Sequence, residues 1–239
     1  MNGDATAKTE FLTEDHLARL SENRYPPRTP RDAASLILMD RSSKVPRALL
    51  GKRGKGHAFM PDLYVFPGGR RDPGDNRTPL AQPLRDEVAE KLVLRTNARF
   101  QNYAARGLAV AAAREMEEEA HLSLTPPEYA GTLRPDVSHF RFLARAITPS
   151  GQSRRFDTRF FACFCDELGL DPTQIRDSDE LHDLTWLPID AHENHPTPGI
   201  TKVILAELAE ALEEDPALLF GRAVPFYYFR NGRFVREVI

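Results

Sequence analysis

The sequence has few cysteines, no long apolar run and no excess of one charge, and each absence excludes a class of protein. Two cysteines among 239 residues cannot build the disulfide framework of a small secreted domain. No apolar segment approaches the length of a membrane-spanning helix. The 32 basic and 35 acidic residues give a net charge of −3, without the basic excess that attracts nucleic acid or anionic membranes. We therefore expect an intracellular protein, placed in the cytoplasm because no other targeting signal is visible, with neither nucleic acid nor membrane as a partner.

The composition indicates a folded protein with a substantial core, since 41% of the residues are hydrophobic and 28% are charged. Strand-like and helix-like segments alternate along the chain, which predicts an α/β fold with packed layers of sheet and helix. We predict an N-terminal extension over residues 1–30 and one domain over residues 31–239. Cys163 and Cys165 alternate along a predicted strand, so we expect two reduced, half-buried thiols on one face.

Short apolar runs predict the strands. They cover residues 32–40, 47–53, 63–66, 138–147, 156–165 and 181–187, and residues 224–239 form a predicted hairpin around Asn231-Gly232. Apolar residues at helical spacing predict the helices. These comprise one beginning at Thr13 and ending before Tyr25, one containing Leu84, Val88 and Leu92, an alanine-rich one over about 104–120, and one over about 200–214.

The segment AAAREMEEEAHL at residues 111–122 gathers four carboxylates within five positions. Like charges three or four residues apart on a helix repel each other by about a few tenths of a kcal/mol per pair. Glu115, Glu118 and Glu119 project from one helical face, whereas Glu117 points elsewhere. Convergent carboxylates suit Mg²⁺ or Mn²⁺, and we expect Arg114 to pair with a carboxylate elsewhere. A solvated acidic face is the simpler alternative.

A glycine turn precedes this helix in the sequence. Pro67, Gly68 and Gly69 follow a short strand, and Asp75 comes after Gly69 with five residues between them. Glycine lets the backbone turn tightly and approach a ligand closely. Each element is common alone, but a strand, a PGG turn, an acidic loop and a helix with spaced glutamates form a far more specific combination.

In this combination the sequence resembles the Nudix hydrolases, whose signature joins a glycine, an acidic residue five positions on, and a helix of the form REUxEExGU with U aliphatic. The resemblance implies an α/β/α sandwich with a mixed sheet, and a loop–helix–loop box that holds divalent metal ions. It implies that Glu115, Glu118 and Glu119 bind Mg²⁺ or Mn²⁺ and that Arg114 orients the box. Family members often add a carboxylate from a later loop, for which Glu180 is our first choice and Asp179 the second.

Three features depart from the family pattern. Asp75 stands where a glutamate is usual, 38 residues instead of seven separate Asp75 from Arg114, and His121 replaces the final glycine. We interpret residues 76–107 as a helical insertion within the box, acting as a lid, a dimer contact or an inert surface helix. Because histidine tolerates a positive φ better than most residues, we expect His121 still to end the helix.

The resemblance implies hydrolysis of the diphosphate bond in a nucleoside diphosphate linked to another moiety. The split box is most similar to the subgroup that includes peroxisomal coenzyme A diphosphatases, so we rank coenzyme A or acyl-coenzyme A first, ahead of ADP-ribose, NADH and nucleotide sugars. Arg53, Gly68, Gly69 and Arg70 are the expected substrate-binding residues, with Lys52, Lys55 and His57 as weaker choices. A homodimer is possible, since dimers are frequent in this family.

Two other functions compete with catalysis. A Nudix fold that senses a nucleotide without cleaving it would be marked by loss of the box carboxylates, which are intact here. An unrelated α/β protein with a solvated acidic helix would bind no metal ion. Metal dependence separates this last alternative from the first two.

Overall fold

The structure is a computed structural model that describes residues 2–22, 25–54, 61–97, 100, 102–190 and 195–239. Within these residues a mixed sheet of nine strands lies between helices on both faces. This confirms the predicted α/β sandwich. No helix in the described ranges is long and apolar enough to cross a membrane.

The elements follow the predicted alternation of strand and helix. The helices are α1 (Asn2–Glu22), α2 (Asp86–Leu92), α3 (Asn102–Ala120) and α4 (Gly199–Glu214). The strands are β1 (Arg31–Asp40), β2 (Arg47–Arg53), β3 (Tyr64–Val65), β4 (Gly68–Arg70), β5 (Arg141–Ile147), β6 (Phe156–Phe164), β7 (Leu181–Pro188), β8 (Pro225–Arg230) and β9 (Arg233–Val238).

Strand β1 is the centre of the sheet. It pairs in parallel with β6 along nearly its whole length, and antiparallel with β4 and with the start of β2. The strand order is β3-β2-β1-β6-β5-β8-β9, with β7 on β2 and β4 on β1. Both faces of β1 are covered, which explains why its sequence is a continuous apolar run. Leu36 and Leu38 face the core with α2 and α3, whereas Ile37 and Met39 face the core with α4.

The C-terminal hairpin confirms the predicted turn. Asn231 and Gly232 connect β8 to β9 and both have positive φ, 51° and 79°. A two-residue turn with positive φ at both positions matches the twist of the flanking strands.

The prediction that the first helix begins at Thr13 is wrong, because α1 already begins at Asn2. Thr13 lies inside the helix, where its hydroxyl donates to the carbonyl of Thr9 (2.7 Å) and accepts from the amide of Phe234 (2.9 Å). Long-range contacts stabilise the earlier turns, since Lys8 binds Glu207 and Glu210 on α4. The predicted domain boundary at residue 30 stays a prediction.

The segment between Asp75 and Arg114 contains α2 and the start of α3, and both helices are packed into the protein. Val88 and Leu92 of α2 are buried in the same core as α3. The Arg106 guanidinium on α3 donates to the carbonyl oxygens of Asn76 (2.8 Å) and Thr78. Helix α3 begins at Asn102, within the range 76–107 of the predicted insertion, and continues to the glutamates; the insertion itself stays a prediction.

Candidate active site

A cleft of about 1190 Å³ opens beside the C-terminal half of α3. Its walls come from β4, the end of β2, the start of β7 and the segments around residues 28–31 and 154–156. The lining residues used below are Arg28, Arg31, Arg53, Gly68, Gly69, Arg70, Glu115, Glu119, Arg154, Arg155, Asp179 and Glu180. The cleft thus brings together seven of the nine site residues expected from the sequence, all except Arg114 and Glu118.

Gly68 and Gly69 let α3 approach the sheet closely. A Cβ atom on Gly69 would overlap the carboxylate of Glu115, and one on Gly68 would lie 2.5 Å from the carbonyl oxygen of Ala34 on β1. The Gly68 amide donates a hydrogen bond of 2.7 Å to Oε2 of Glu119. The two glycines therefore allow the backbone of β4 to contact two of the glutamates directly.

Arg114 does not line the cleft, but it links the glutamates of α3 to Asp75 and to β4. Its Nε donates to Asp75 (3.1 Å), and its Nη2 donates to the carbonyl of Arg70 (3.1 Å). Its Nη1 donates to Glu115 (2.9 Å) and Glu118 (2.8 Å). Burial opposes the charge of Arg114, but the hydrogen bond to Asp75 and the neighbouring carboxylates outweigh it and raise its pKa. The expected pairing with a distant carboxylate is confirmed, and the partner is Asp75.

The three box glutamates differ in position. Glu119 is buried, and the Glu115 side chain is 13% exposed. Glu118 is 57% exposed, pairs with Arg114 and does not line the cleft. Glu117 is exposed on another side of the helix and accepts from Ser123 (3.1 Å), as its helical position predicts.

Negative charge accumulates around Glu119. Burial raises the pKa of Glu119 to about 8; the hydrogen bond from Gly68 opposes the rise, the charges of Glu115 and Glu180 add to it, and Arg53 opposes it. Burial also raises the pKa of Glu115, against the charge of Arg114. Carboxylates that repel each other in a buried position are stabilised by a cation placed among them.

The donor set fits a hard divalent cation. Glu115 and Glu119 offer oxygen ligands to the cleft, and the negative charge of Glu180 raises the pKa of both. Across the part of the chain that the structure describes, no group of three or more His, Cys, Asp or Glu side chains is arranged to hold a metal ion. Arg114 holds Glu115 and Glu118, so a bound ion would compete with this guanidinium for their oxygens.

Glu180 and Asp179 line the same cleft and lie just before β7. Strand β7 pairs with β2 so that Leu181 faces Arg53, and the Gly54 amide donates to the Glu180 carbonyl (3.3 Å). This pairing brings the chain of residues 179–181 next to Arg53, whose buried Nε has no hydrogen-bond partner among the described residues.

The other basic residues expected to bind substrate differ in their availability. Arg70 lines the cleft and pairs with Asp72 (2.8 Å). Lys52 lies 3.9 Å from Asp62 and does not line the cleft. Lys55 and His57 lie outside the described residues.

Sequence reasoning missed the basic wall of the cleft. Arg28 comes from the segment before β1 and Arg31 is the first residue of β1, whereas Arg154 and Arg155 come from the loop before β6. The paired arginines at 154 and 155 are a visible signal in the sequence, but nothing local indicates that they face the same cleft as the glutamates.

His121 ends α3 in the left-handed conformation. Its φ is 56°, and its amide donates to the carbonyl of Glu117 (3.1 Å). This confirms the prediction that His121 ends the helix in the place of a glycine. The departure therefore leaves the helix end, and with it the position of Glu119, intact.

No protein-family model and no curated protein matches the sequence. Among solved structures, a Nudix hydrolase from Alicyclobacillus acidocaldarius is similar, with a TM-score of 0.53 and 24% identity over 81% of this chain and 99% of that one. The Nudix domain of NrtR from Shewanella oneidensis, solved with ADP ribose, gives 0.48 and 14% over 82% and 97%. A C. elegans Ap4A hydrolase gives 0.43 and 14% over 77% and 99%. The chain thus has the fold of the first of these structures over about four fifths of its length.

Proposed function

We propose that the protein is a divalent-metal-dependent hydrolase that cleaves the diphosphate bond of a nucleoside diphosphate linked to another moiety. The observation that carries this proposal is Glu119, a buried carboxylate bonded to the Gly68 amide and surrounded by further negative charge in a large cleft. A cation would stabilise the charged form of this carboxylate, and the arginines on the same cleft suit an anionic substrate.

Glu115 and Glu119 would hold Mg²⁺ or Mn²⁺, with Glu118 able to join them once its oxygen is released from Arg114. A divalent ion in this position neutralises phosphate charge and lowers the pKa of a bound water. Glu115, Glu119 and Glu180 are the glutamates that reach the cleft, and we assign the acceptance of a proton from the attacking water to one of these three.

The remaining residues position the substrate. Gly68 and Gly69 present backbone without side chains, so a phosphate group can approach β4 closely. Arg53 has a donor without a partner among the described residues and lines the same cleft as the glutamates, where it can bind a phosphate oxygen. Arg114 does not line the cleft, and we assign it the role of holding the glutamates and Asp75 in place.

Coenzyme A or an acyl-coenzyme A is the first substrate to test, ahead of ADP-ribose, NADH and nucleotide sugars. The long separation between Asp75 and Arg114 supports this order, because it resembles the subgroup that includes coenzyme A diphosphatases. The cleft volume of about 1190 Å³ exceeds the roughly 300–1,000 Å³ typical of pockets for drug-sized ligands, which leaves room for a large substrate. The cytoplasmic location and the homodimer stay predictions.

The test is hydrolysis of coenzyme A, an acyl-coenzyme A, ADP-ribose, NADH and a nucleotide sugar, each with Mg²⁺, with Mn²⁺ and with chelator. Glu119→Gln removes the buried charge, and Glu117→Gln is the matched control on the same helix. We expect metal-dependent cleavage that falls at least about a hundredfold in Glu119→Gln and less than about twofold in Glu117→Gln.

Calorimetric titration with Mn²⁺ separates the alternatives. Binding of the metal ion and of a nucleotide without any cleavage would replace the enzyme by a sensor. Absence of Mn²⁺ binding, or equal affinity in wild type and Glu119→Gln, would contradict the metal site and leave only a solvated acidic helix.

A further inference from the structure

Four arginines that have no role in the proposed reaction form one wall of the cleft. The arginine wall consists of Arg28, Arg31, Arg154 and Arg155, and all four line the same cleft as Glu115 and Glu119. They come from two segments far apart in the sequence, one that leads into β1 and ends at its first residue, and one just before β6. A cluster of like charge assembled from two segments repels itself unless an anion lies among its members.

The backbone fixes the two segments against each other. The Tyr25 amide donates to the carbonyl of Gly151 (2.9 Å), and the Arg31 amide donates to the carbonyl of Arg155 (3.0 Å). The Arg155 guanidinium in turn donates to the carbonyl of Arg28 (2.5 Å). Arg155 therefore joins the two segments, because its carbonyl accepts from Arg31 and its guanidinium donates to Arg28.

Arg28, Arg31 and Arg154 are available to a ligand. All three are exposed, and within the described ranges none forms an ion pair with a carboxylate. By contrast, Arg70 in the same cleft pairs with Asp72, and Arg114 behind it pairs with Asp75. The wall thus presents guanidinium groups that the protein itself does not neutralise.

The acidic and the basic residues of the cleft come from different elements. Glu115 and Glu119 lie on α3 and Glu180 lies just before β7, whereas the arginine wall comes from residues 28–31 and from the loop before β6. In the proposed reaction the diphosphate binds beside the glutamates, together with the metal ion and Arg53. A second anionic group of the same molecule would then bind the wall, and the cleft volume of about 1190 Å³ accommodates such a substrate.

We propose that the arginine wall binds a second anionic group of the substrate, a phosphate monoester separate from the diphosphate that is cleaved. This inference rests on the proposed hydrolase function and narrows its substrate class to nucleoside diphosphate derivatives that carry an additional phosphate. Arg28, Arg31 and Arg154 determine this specificity, and Arg155 is a positioning residue.

Two matched pairs of substrates test the wall, because the members of each pair differ by one phosphate: coenzyme A with 3′-dephospho-coenzyme A, and NADPH with NADH. The variant is the double substitution Arg28→Gln and Arg154→Gln. The control is Arg230→Gln, an exposed arginine at the end of β8 that does not line the cleft.

In the double variant, kcat/KM for the member with the extra phosphate is expected to fall about tenfold, as for the loss of charged hydrogen bonds at an exposed site. The member without it is expected to change by less than about twofold, as is every substrate in Arg230→Gln. An equal fall for both members, or no preference of the wild type for the extra phosphate, overturns the proposal.

A binding measurement without metal ion keeps the two proposals distinguishable. Calorimetry with adenosine 3′,5′-bisphosphate and with adenosine monophosphate is carried out in chelator on wild type and on the double variant. We expect only the bisphosphate to lose affinity, by about tenfold. If no compound is hydrolysed but this difference appears, the hydrolase function fails and the wall stands. If hydrolysis occurs and the difference is absent, the wall fails alone.

Discussion

The pair formed by Arg114 and Asp75 makes the sharpest test of the site's architecture. Asp75 is 3% exposed and accepts from Arg114 Nε (3.1 Å), Arg114 Nη2 (3.4 Å) and the Asp72 amide (2.7 Å). Arg114→Gln leaves this carboxylate buried with only the amide. Removing one partner of a buried ion pair costs about 3–5 kcal/mol, and the 18% exposure of Arg114 places the expected loss near the lower limit, about 3 kcal/mol.

The loss is measured by urea and thermal unfolding in chelator, so that no metal ion contributes. For a protein of this length about 3 kcal/mol corresponds to a fall in Tm of roughly 6–12 °C. The variants are Arg114→Gln, Asp75→Asn and the double variant, and the exposed Arg77→Gln is the control, expected to change stability by less than about 0.5 kcal/mol.

The double-mutant cycle isolates the pair from the other contacts of Arg114. Charged hydrogen bonds of this kind contribute about 1.5–3 kcal/mol, so we expect a coupling energy of about 2 kcal/mol. Two single losses that add to within about 0.5 kcal/mol would refute the reasoning, because they would show that Asp75 and Arg114 act independently.

Two further predictions concern groups away from the cleft. Burial opposes ionisation of Glu207, but hydrogen bonds from Arg236 and Tyr227 outweigh it and lower its pKa below 4.5, so its contribution to stability is present above that pH and lost as the pH falls. Glu207→Gln is expected to lower the unfolding free energy by about 3 kcal/mol at pH 7. This loss of unfolding free energy should shrink below pH 4.5, where the wild-type carboxylate becomes protonated. A loss that does not change with pH would contradict the prediction. Burial raises the pKa of both thiols, that of Cys165 to about 12, so a thiol reagent at neutral pH is expected to label Cys163 and Cys165 only in denaturant, and fast labelling of the native protein would contradict their burial.

The sequence alone predicts the elements in which apolar residues recur with a regular period. Strand β2 has the predicted bounds, and α4 differs from the prediction by one residue, because their apolar residues recur with a clear period. The start of α1 escaped prediction since its first turns depend on Lys8 meeting Glu207 across the fold. Nothing within the first ten residues encodes that contact.

The same distinction applies to the site. Glu115 and Glu119 were found because positions four apart share a face of any helix, and Asp75 because of its fixed distance from the glycine turn. The difference in exposure between buried Glu119 and exposed Glu118 depends on where α3 lies against β4. The arginine wall joins residues more than a hundred positions apart, and no periodicity connects them.

The buried contact between Asp75 and Arg114 makes the length of chain between them largely irrelevant to the site. Doubling a flexible loop costs only about 0.6 kcal/mol in closure entropy, whereas the contact itself contributes more. The intervening residues, which here form α2 and the first turns of α3, can therefore differ in number without displacing a glutamate. A sequence pattern that requires a fixed spacing fails at such a site, because the contact fixes its two partners in space and leaves the length of chain between them free.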